Sequence, residues 1–414
     1  MKRRTLLGAA LTVAGLAIIP AASAQQPPIK IGMSMAQTGG LAGGGKASLL
    51  GTEIWRDDIN ARGGLLGRKV ELVVYDDKSS ASETPAIYSK LLDVDKVDLL
   101  FSPYATVPTA PIMPLVKQRG MVLIGNFSFQ INSKIGHDMW FNVAPWGPAD
   151  SWAAAFLDIG QKAGGKTVAL LTADQEFAQN LATTAREVAT KRNMPIVFDQ
   201  AYPPNTVEFS GIIRSLKAAK PDIVYVASYP PDSAGILRAV NEIGIGDNVK
   251  LFGGGMVGLQ FGPVMQNLGS LLNGVVNFNT WLPEPSMYFE GTKTFFDTYT
   301  KRAIEAKVDP LGFYLAPFGY ASGQLIEAAV KSAGSLDQKA IAKYLHEHEV
   351  QTIVGPISFS ADGERKVTAT LQAQFRGIVD KDMEQFRKQG KQVILFPANL
   401  KSGELITPFE AARK

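Results

Sequence analysis

The chain has 414 residues, no cysteine, three histidines and a formal net charge of +4. Without cysteine there are no disulfides and no thiol chemistry. Acidic and basic residues are interspersed along the chain, which excludes a nucleic-acid patch. Lys2, Arg3 and Arg4 precede an apolar run from Leu6 to Ile19 and the small residues Ala22, Ser23 and Ala24. That order is an export signal, cleaved after about Ala24, and the run is short for a membrane span. A general secretory signal is preferred to a twin-arginine one. Removing residues 1–24 lowers the charge from +4 to +1. About 390 residues then remain, enough for two domains of ordinary size. No later stretch is long, apolar and uncharged, so the mature chain is expected to be soluble.

In chain order, Ile29 to Met35 is a predicted strand that feeds a loop carrying Gly39, Gly40, Gly43, Gly44 and Gly45. A helix from Gly45 to Ala61 follows. A strand, a glycine loop and a helix N-terminus make a cradle for an anion or polar group. From Gly40 the run nearly matches a P-loop, with Gly45 and Lys46 in place, but Ala47 stands where a magnesium-binding hydroxyl is needed. The dinucleotide fingerprint fits no frame. A small-molecule docking loop is preferred to a nucleotide site or a purely structural turn. Strands at Lys69–Tyr75, Val97–Phe101 and Met121–Gly125 alternate with helices at Glu83–Asp93 and Pro108–Arg119. Each strand is a near-continuous apolar run, the mark of a parallel sheet covered on both faces.

The alternation restarts at Thr167–Thr172 and continues through strands at Ile196–Ala201, Asp222–Ser228 and Lys250–Gly253, with helices at Glu176–Arg192, Ser210–Ala219 and Pro231–Ile243. A strand at Gly274–Asn279 precedes helices at Gly291–Lys307, Pro317–Ala333 and Gln338–His346. Strands at Gly355–Phe359, Leu371–Ile378 and Val393–Phe396 close the pattern. His137, His346 and His348 are too scattered for a metal site, and no cofactor is expected. Asp57-Asp58 and Asp76-Asp77 are adjacent pairs, and on a strand adjacent side chains point to opposite faces. No nucleophile elbow, zinc-protease motif or thiol is present, so no enzyme is expected.

Three stretches name a family. Ile59 to Ser79 (INARGGLLGRKVELVVYDDKS), Lys96 to Val116 and Val207 to Ile245 resemble the leucine, isoleucine and valine binding proteins of ABC importers. The stretch Thr352 to Lys366 fits as well. The resemblance runs the length of the mature chain and implies the type I periplasmic binding fold. That is an α/β architecture of two Rossmann-like lobes with parallel-rich sheets, joined by a three-strand hinge. Crossovers are expected near Asn142–Pro145, Asn273–Thr280 and Thr352–Ser360. The N-lobe would be residues 27–144 and 278–355, and the C-lobe 145–277 and 356–414. The resemblance also implies a periplasmic monomer that delivers a small carboxylate-bearing ligand to a membrane ABC permease. The alternative is an exported sensor acting on a signalling partner.

Ligands of open α/β sheets bind at the carboxyl ends of the strands. This places Gln37, Tyr104, Ala105, Thr106, Phe127, Ser128 and Phe129 on the N-lobe wall, and Phe177, Tyr229 and Met256 on the C-lobe wall. Thr106 is equally suited to capping the helix after it. Trp281 is a further candidate at the cleft mouth. Amino-acid binders of the resembled family carry a Glu after the strand matching Lys250–Gly253. Here that loop reads Gly253-Gly254-Gly255-Met256-Val257-Gly258, without a carboxylate. A buried ammonium without a counter-charge is costly. Asp174, Glu176 and Asp232 are the substitutes at hand. The apolar set favours an aromatic or aliphatic acid over a branched-chain amino acid.

Overall fold

A computed structural model describes residues 26–414, so the export signal read at 1–24 lies outside the described residues. The first sheet contains β1 (Ile29–Met35), β2 (Val70–Asp76), β3 (Leu99–Tyr104), β4 (Leu123–Asn126) and β5 (Trp140–Asn142). Its order is β2-β1-β3-β4-β5, all parallel. The second sheet takes β6 (Val168–Ala173), β7 (Ile196–Tyr202), β8 (Ile223–Ser228), β9 (Leu251–Met256) and β10 (Val276–Asn279). A hairpin of β11 (Val350–Thr352) and β12 (Gly355–Ile357) stands apart. The second sheet is then finished by β13 (Leu371–Phe375) and β14 (Gln392–Phe396), in the order β14-β13-β10-β9-β8-β6-β7. Only its β10-β13 and β13-β14 pairs are antiparallel. β3, β6 and β8 are buried along their whole length, which explains their unbroken apolar runs.

The chain passes between the sheets three times. The first passage follows β5 and ends at the helix Ser151–Lys162. The second follows β10, so residues 278 and 279, placed from sequence in the first lobe, are strand residues of the second sheet. The third lies later than expected. Asn142 donates its N–H to the Gly363 carbonyl at 2.8 Å, and Asn132 Nδ2 reaches the Asp362 carbonyl at 2.7 Å. The chain therefore stays against the first sheet beyond Ser360. Ala369 N–H and Thr370 Oγ1 then both donate to the Pro145 carbonyl at 2.9 Å, tying the third passage to the first.

The helix expected at Pro108–Arg119 is broken into Thr106–Thr109, a 3-10 turn at Ala110–Ile112, and Met113–Gln118. Pro108, Pro111 and Pro114 each lack an N–H, so an unbroken α ladder cannot form. The Gly253–Gly255 run is strand, not loop. A Cβ on Gly253 would lie 2.1 Å from the Val276 carbonyl oxygen, and one on Gly254 2.6 Å from the Tyr225 ring. These glycines let strand and ring approach, and the freed Gly254 carbonyl accepts from Trp152 Nε1 at 2.9 Å.

The glycine-rich stretch at 39–51 also serves close packing between helices. The helix Ala42–Ala61 packs along Ala316–Ala333. A Cβ at Gly51 would sit 2.0 Å from the Ala316 carbonyl, and one at Gly319 2.1 Å from the Ser48 carbonyl. Thr52 Oγ1 bonds the Gly319 carbonyl across the same contact at 3.1 Å. Gly45 is held against the Ala36 carbonyl, whereas Gly40 and Gly43 face open space. Lys46 is exposed.

Candidate functional site

The carboxyl ends of the two sheets face one another across a small cavity. Tyr104 ends β3, and Ala105 and Thr106 follow it. Phe127 follows β4, Phe177 opens the helix Glu176–Lys191, and Tyr229 follows β8. All six line the cavity, together with Leu41, Trp146, Val257 and Tyr314. The cavity measures about 20 Å³, room for roughly one water molecule.

Four of the expected residues do not line it. Gln37 is tied through its backbone N–H to Asp76 Oδ1 at 3.0 Å, beside Thr38, whose hydroxyl donates to Asp76 Oδ2 at 2.7 Å. Burial opposes ionisation of Asp76, but the Thr38 hydroxyl and the Lys78, Gln37 and Thr38 N–H groups hold its carboxyl below the usual range. Asp76 is thus the anchor of the glycine loop. Ser128 lies behind the wall, its carbonyl accepting from Asn142 Nδ2 at 2.6 Å and Trp146 Nε1 at 3.0 Å. Phe129 packs edge-on to Trp146, Trp152 and Phe177. Met256 is the last residue of β9, locked by a two-way bond to the Asn277 side chain. β9 runs three residues further than its apolar pattern implied, so the strand end presents Val257 to the cavity instead. Trp281 is buried elsewhere, its Nε1 donating to the Met287 carbonyl.

Leu41 belongs to the glycine loop after β1, whereas Trp146 and Tyr314 carried no strand-end signal in the sequence. Trp146 sits in the first passage, stacked on Trp152 at 4.6 Å. Tyr314 precedes the helix Ala316–Ala333 and meets Phe127 edge-on at 5.2 Å. Phe127 is the hub, with Trp146 at 5.1 Å and Phe318 at 4.9 Å.

Two of the lining residues hold backbone conformations that side chains disfavour. Ala105 has φ +81° and Phe127 φ +63°. Such strain persists where surrounding structure over-determines it, and it concentrates at binding sites. Ala105 is fixed by its carbonyl, which accepts from Thr109 Oγ1 at 2.7 Å. The helix cap is Ala105, so Thr106 is free of the capping duty. Its hydroxyl oxygen accepts from Phe129 N–H at 3.0 Å, which leaves its proton to give.

None of the ten lining residues is acidic or basic. The polar side chains are three phenols and one threonine. Burial pushes the phenols of Tyr104, Tyr229 and Tyr314 well above their ordinary range, so all three are protonated donors. The Tyr229 hydroxyl is buried, with the Phe177 N–H beside its oxygen and no acceptor for its proton. A vestibule of about 220 Å³ leads outward, and Leu41 and Tyr229 belong to both spaces. Asp232 lines the vestibule, not the cavity, and accepts from Tyr202 at 3.2 Å.

At the hinge, the Glu364 carboxylate accepts from Asn142 Nδ2 at 2.8 Å and Trp140 Nε1 at 3.2 Å. Burial nevertheless raises it from 4.5 to about 7, with a smaller push from Asp362. The folded chain therefore holds this proton more tightly than the unfolded chain. Stability from this group is full in acid and falls as pH rises from about 4.5 through 7. Thermal melts across that window should fall less steeply in Glu364→Gln than in the parent; parallel curves would refute the assignment.

A model of the family described as periplasmic binding protein matches residues 28–379. The Leu/Ile/Val-binding protein of Citrobacter freundii is 25% identical over 364 residues, covering 87% of this chain and 94% of that one. The substrate binding protein LivJ of a branched-chain amino acid transporter from Streptococcus pneumoniae, solved with isoleucine, superposes with a TM-score of 0.73 at 22% identity, over 89% of this chain and all of that one. An ABC transporter solute binding protein from R. palustris, solved with benzoate, has a TM-score of 0.71 at 20% identity, over 94% and 99%. Among the described residues no helix is long and apolar enough to cross a membrane, and no cluster of side chains suits a metal ion.

Proposed function

The chain belongs to the periplasmic binding protein family, and from that premise we propose that it captures a small aromatic or aliphatic carboxylate between its lobes and delivers it to an ABC importer permease. The observation that carries the choice of ligand is the charge-free cavity. A carboxylate can be held by neutral donors, and here Tyr104, Tyr229, Tyr314 and Thr106 supply hydroxyls. The helix Glu176–Lys191 adds its N-terminal dipole, since no side chain caps it. An ammonium group would meet no carboxylate on the lining. The aromatic walls suit a planar ring, and one relative by fold was solved with benzoate. Another was solved with isoleucine, so the two ligand classes compete directly.

The cavity is far smaller than any such ligand. The walls must separate to admit it and close afterwards, as a hinged pair of lobes does. Ligand affinity then shifts an open–closed equilibrium. The chain acts as a periplasmic monomer and performs no chemistry on what it binds. Calorimetry with leucine, valine, benzoate and an aliphatic acid tests the reading. Benzoate-class acids should bind and the amino acids should not; tight leucine binding would overturn the ligand class while leaving the fold intact.

A further inference from the structure

We infer that the hinge carries a second binding site, for a small oxyanion, on the opposite side of Trp146 from the tyrosine cavity. Trp146 lines both spaces. The second is a pocket of about 320 Å³ between the first and third passages. Arg365 lines it and is only 6% exposed. Its Nη2 donates to the Pro356 carbonyl at 2.8 Å, while Nη1 is buried with no partner. No carboxylate among the described residues lies within ion-pair distance of it. A buried guanidinium without a counter-charge is one of the least favourable groups a fold can hold.

Gln130, which also lines the pocket, carries a second orphan. Gln130 Nε2 is buried and also lacks an acceptor. The acidic residues on the wall are already engaged. Glu364 takes the Asn142 and Trp140 donors. Asp362 Oδ1 takes the Ser360 hydroxyl at 2.6 Å and the Glu364 N–H at 3.2 Å. On the wall, then, the buried Arg365 guanidinium lacks a counter-charge, and Asp362 Oδ2 is the carboxylate oxygen of those two residues that accepts no hydrogen bond. Lys366 adds a second cation at the rim. A neutral ligand would leave the guanidinium uncompensated. A carboxylate or phosphate oxyanion supplies the counter-charge that the Arg365 guanidinium lacks, because the guanidinium fork binds such groups through paired N–H bonds. Bound there, it would tie the first passage to the third.

The test uses the mature chain, with inorganic phosphate and acetate as separate probes at constant ionic strength. Thermal melts should show a saturable rise in Tm with at least one probe at millimolar concentration. Response to phosphate alone identifies a phosphate-type occupant, and response to acetate alone a carboxylate. Arg365→Met should weaken that response about tenfold or more, and its Tm without probe should match or exceed the parent's. Gln130→Leu, which removes one amide at the pocket wall, should weaken the response several-fold and serves if Arg365→Met does not fold. Benzoate affinity at the tyrosine cavity should change less than about twofold in both variants, the expectation for independent sites. Two outcomes overturn the proposal: no probe moves the parent Tm, or the response persists unchanged in the variants.

Discussion

Tyr229→Phe is expected to weaken binding of a carboxylate ligand by about 10- to 100-fold, the range for a lost hydrogen bond to a charged group. The ligand-free protein should be as stable as before, or more so. The second half of that expectation is the discriminating one. The buried Tyr229 hydroxyl has no acceptor for its proton, so deleting it removes an unsatisfied donor and creates almost no cavity, while withdrawing the oxygen beside the Phe177 N–H. The ring keeps its edge contact with Phe177 at 5.8 Å. A hydroxyl that served only packing would show neither effect. Calorimetry with benzoate and a ligand-free melt on the same sample separate the cases. Unchanged affinity would remove Tyr229 from the site, and a falling Tm would show that the hydroxyl has a partner in solution.

The second large effect lies in the helix pair behind the first sheet. Gly319→Ala places a methyl 2.1 Å from the Ser48 carbonyl oxygen, a backbone atom that cannot rotate away. The helices must separate, which breaks the Thr52–Gly319 bond and loosens Trp55, fully buried and bonded to Glu327. Overpacking of this kind costs about 3 kcal/mol, or roughly 6–12 °C in Tm for a lobe of this size. Gly43→Ala is the internal control. It lies in the facing helix of the same pair, Ala42–Ala61, but nothing stands within 4 Å of its Cβ position. It should be neutral or stabilise by about 0.5–1 kcal/mol, since alanine loses less backbone entropy in a helix. Equal losses at both positions would mean that the helix pair tolerates no change for some reason other than contact.

These two glycines illustrate what was legible in the sequence. Local order came through clearly: β1 falls at Ile29–Met35 as its apolar run indicates, and the parallel alternation marked two sheets. Glycine was ambiguous, because ligand approach, helix contact and strand contact call for the same missing Cβ. The 39–51 stretch uses it for helix contact and the 253–255 run for strand contact. Short elements escaped notice as well. β5 has three residues, and its strand character comes from pairing with β4. In the site, strand ends pointed to Tyr104, Thr106, Phe177 and Tyr229, which do line the cavity. Trp146 and Tyr314 arrive from segments whose position depends on how the passages between the lobes are tied, and no local period records that. The orphaned donors of Arg365 and Gln130 are likewise visible only once the chain is folded.

The three passages between the sheets have a consequence for how the chain is made. Neither lobe is a continuous segment. The first needs the helices between Thr292 and Glu347 to cover it, and the second needs β13 and β14. Phe409 also packs on Phe252 at 5.2 Å and donates its N–H to the Val249 carbonyl. A polypeptide still emerging from the ribosome therefore has a first sheet not yet covered by its later helices and a second sheet without its last two strands. Both lobes reach their final packing only when the last strands and the segment around Phe409 are in place.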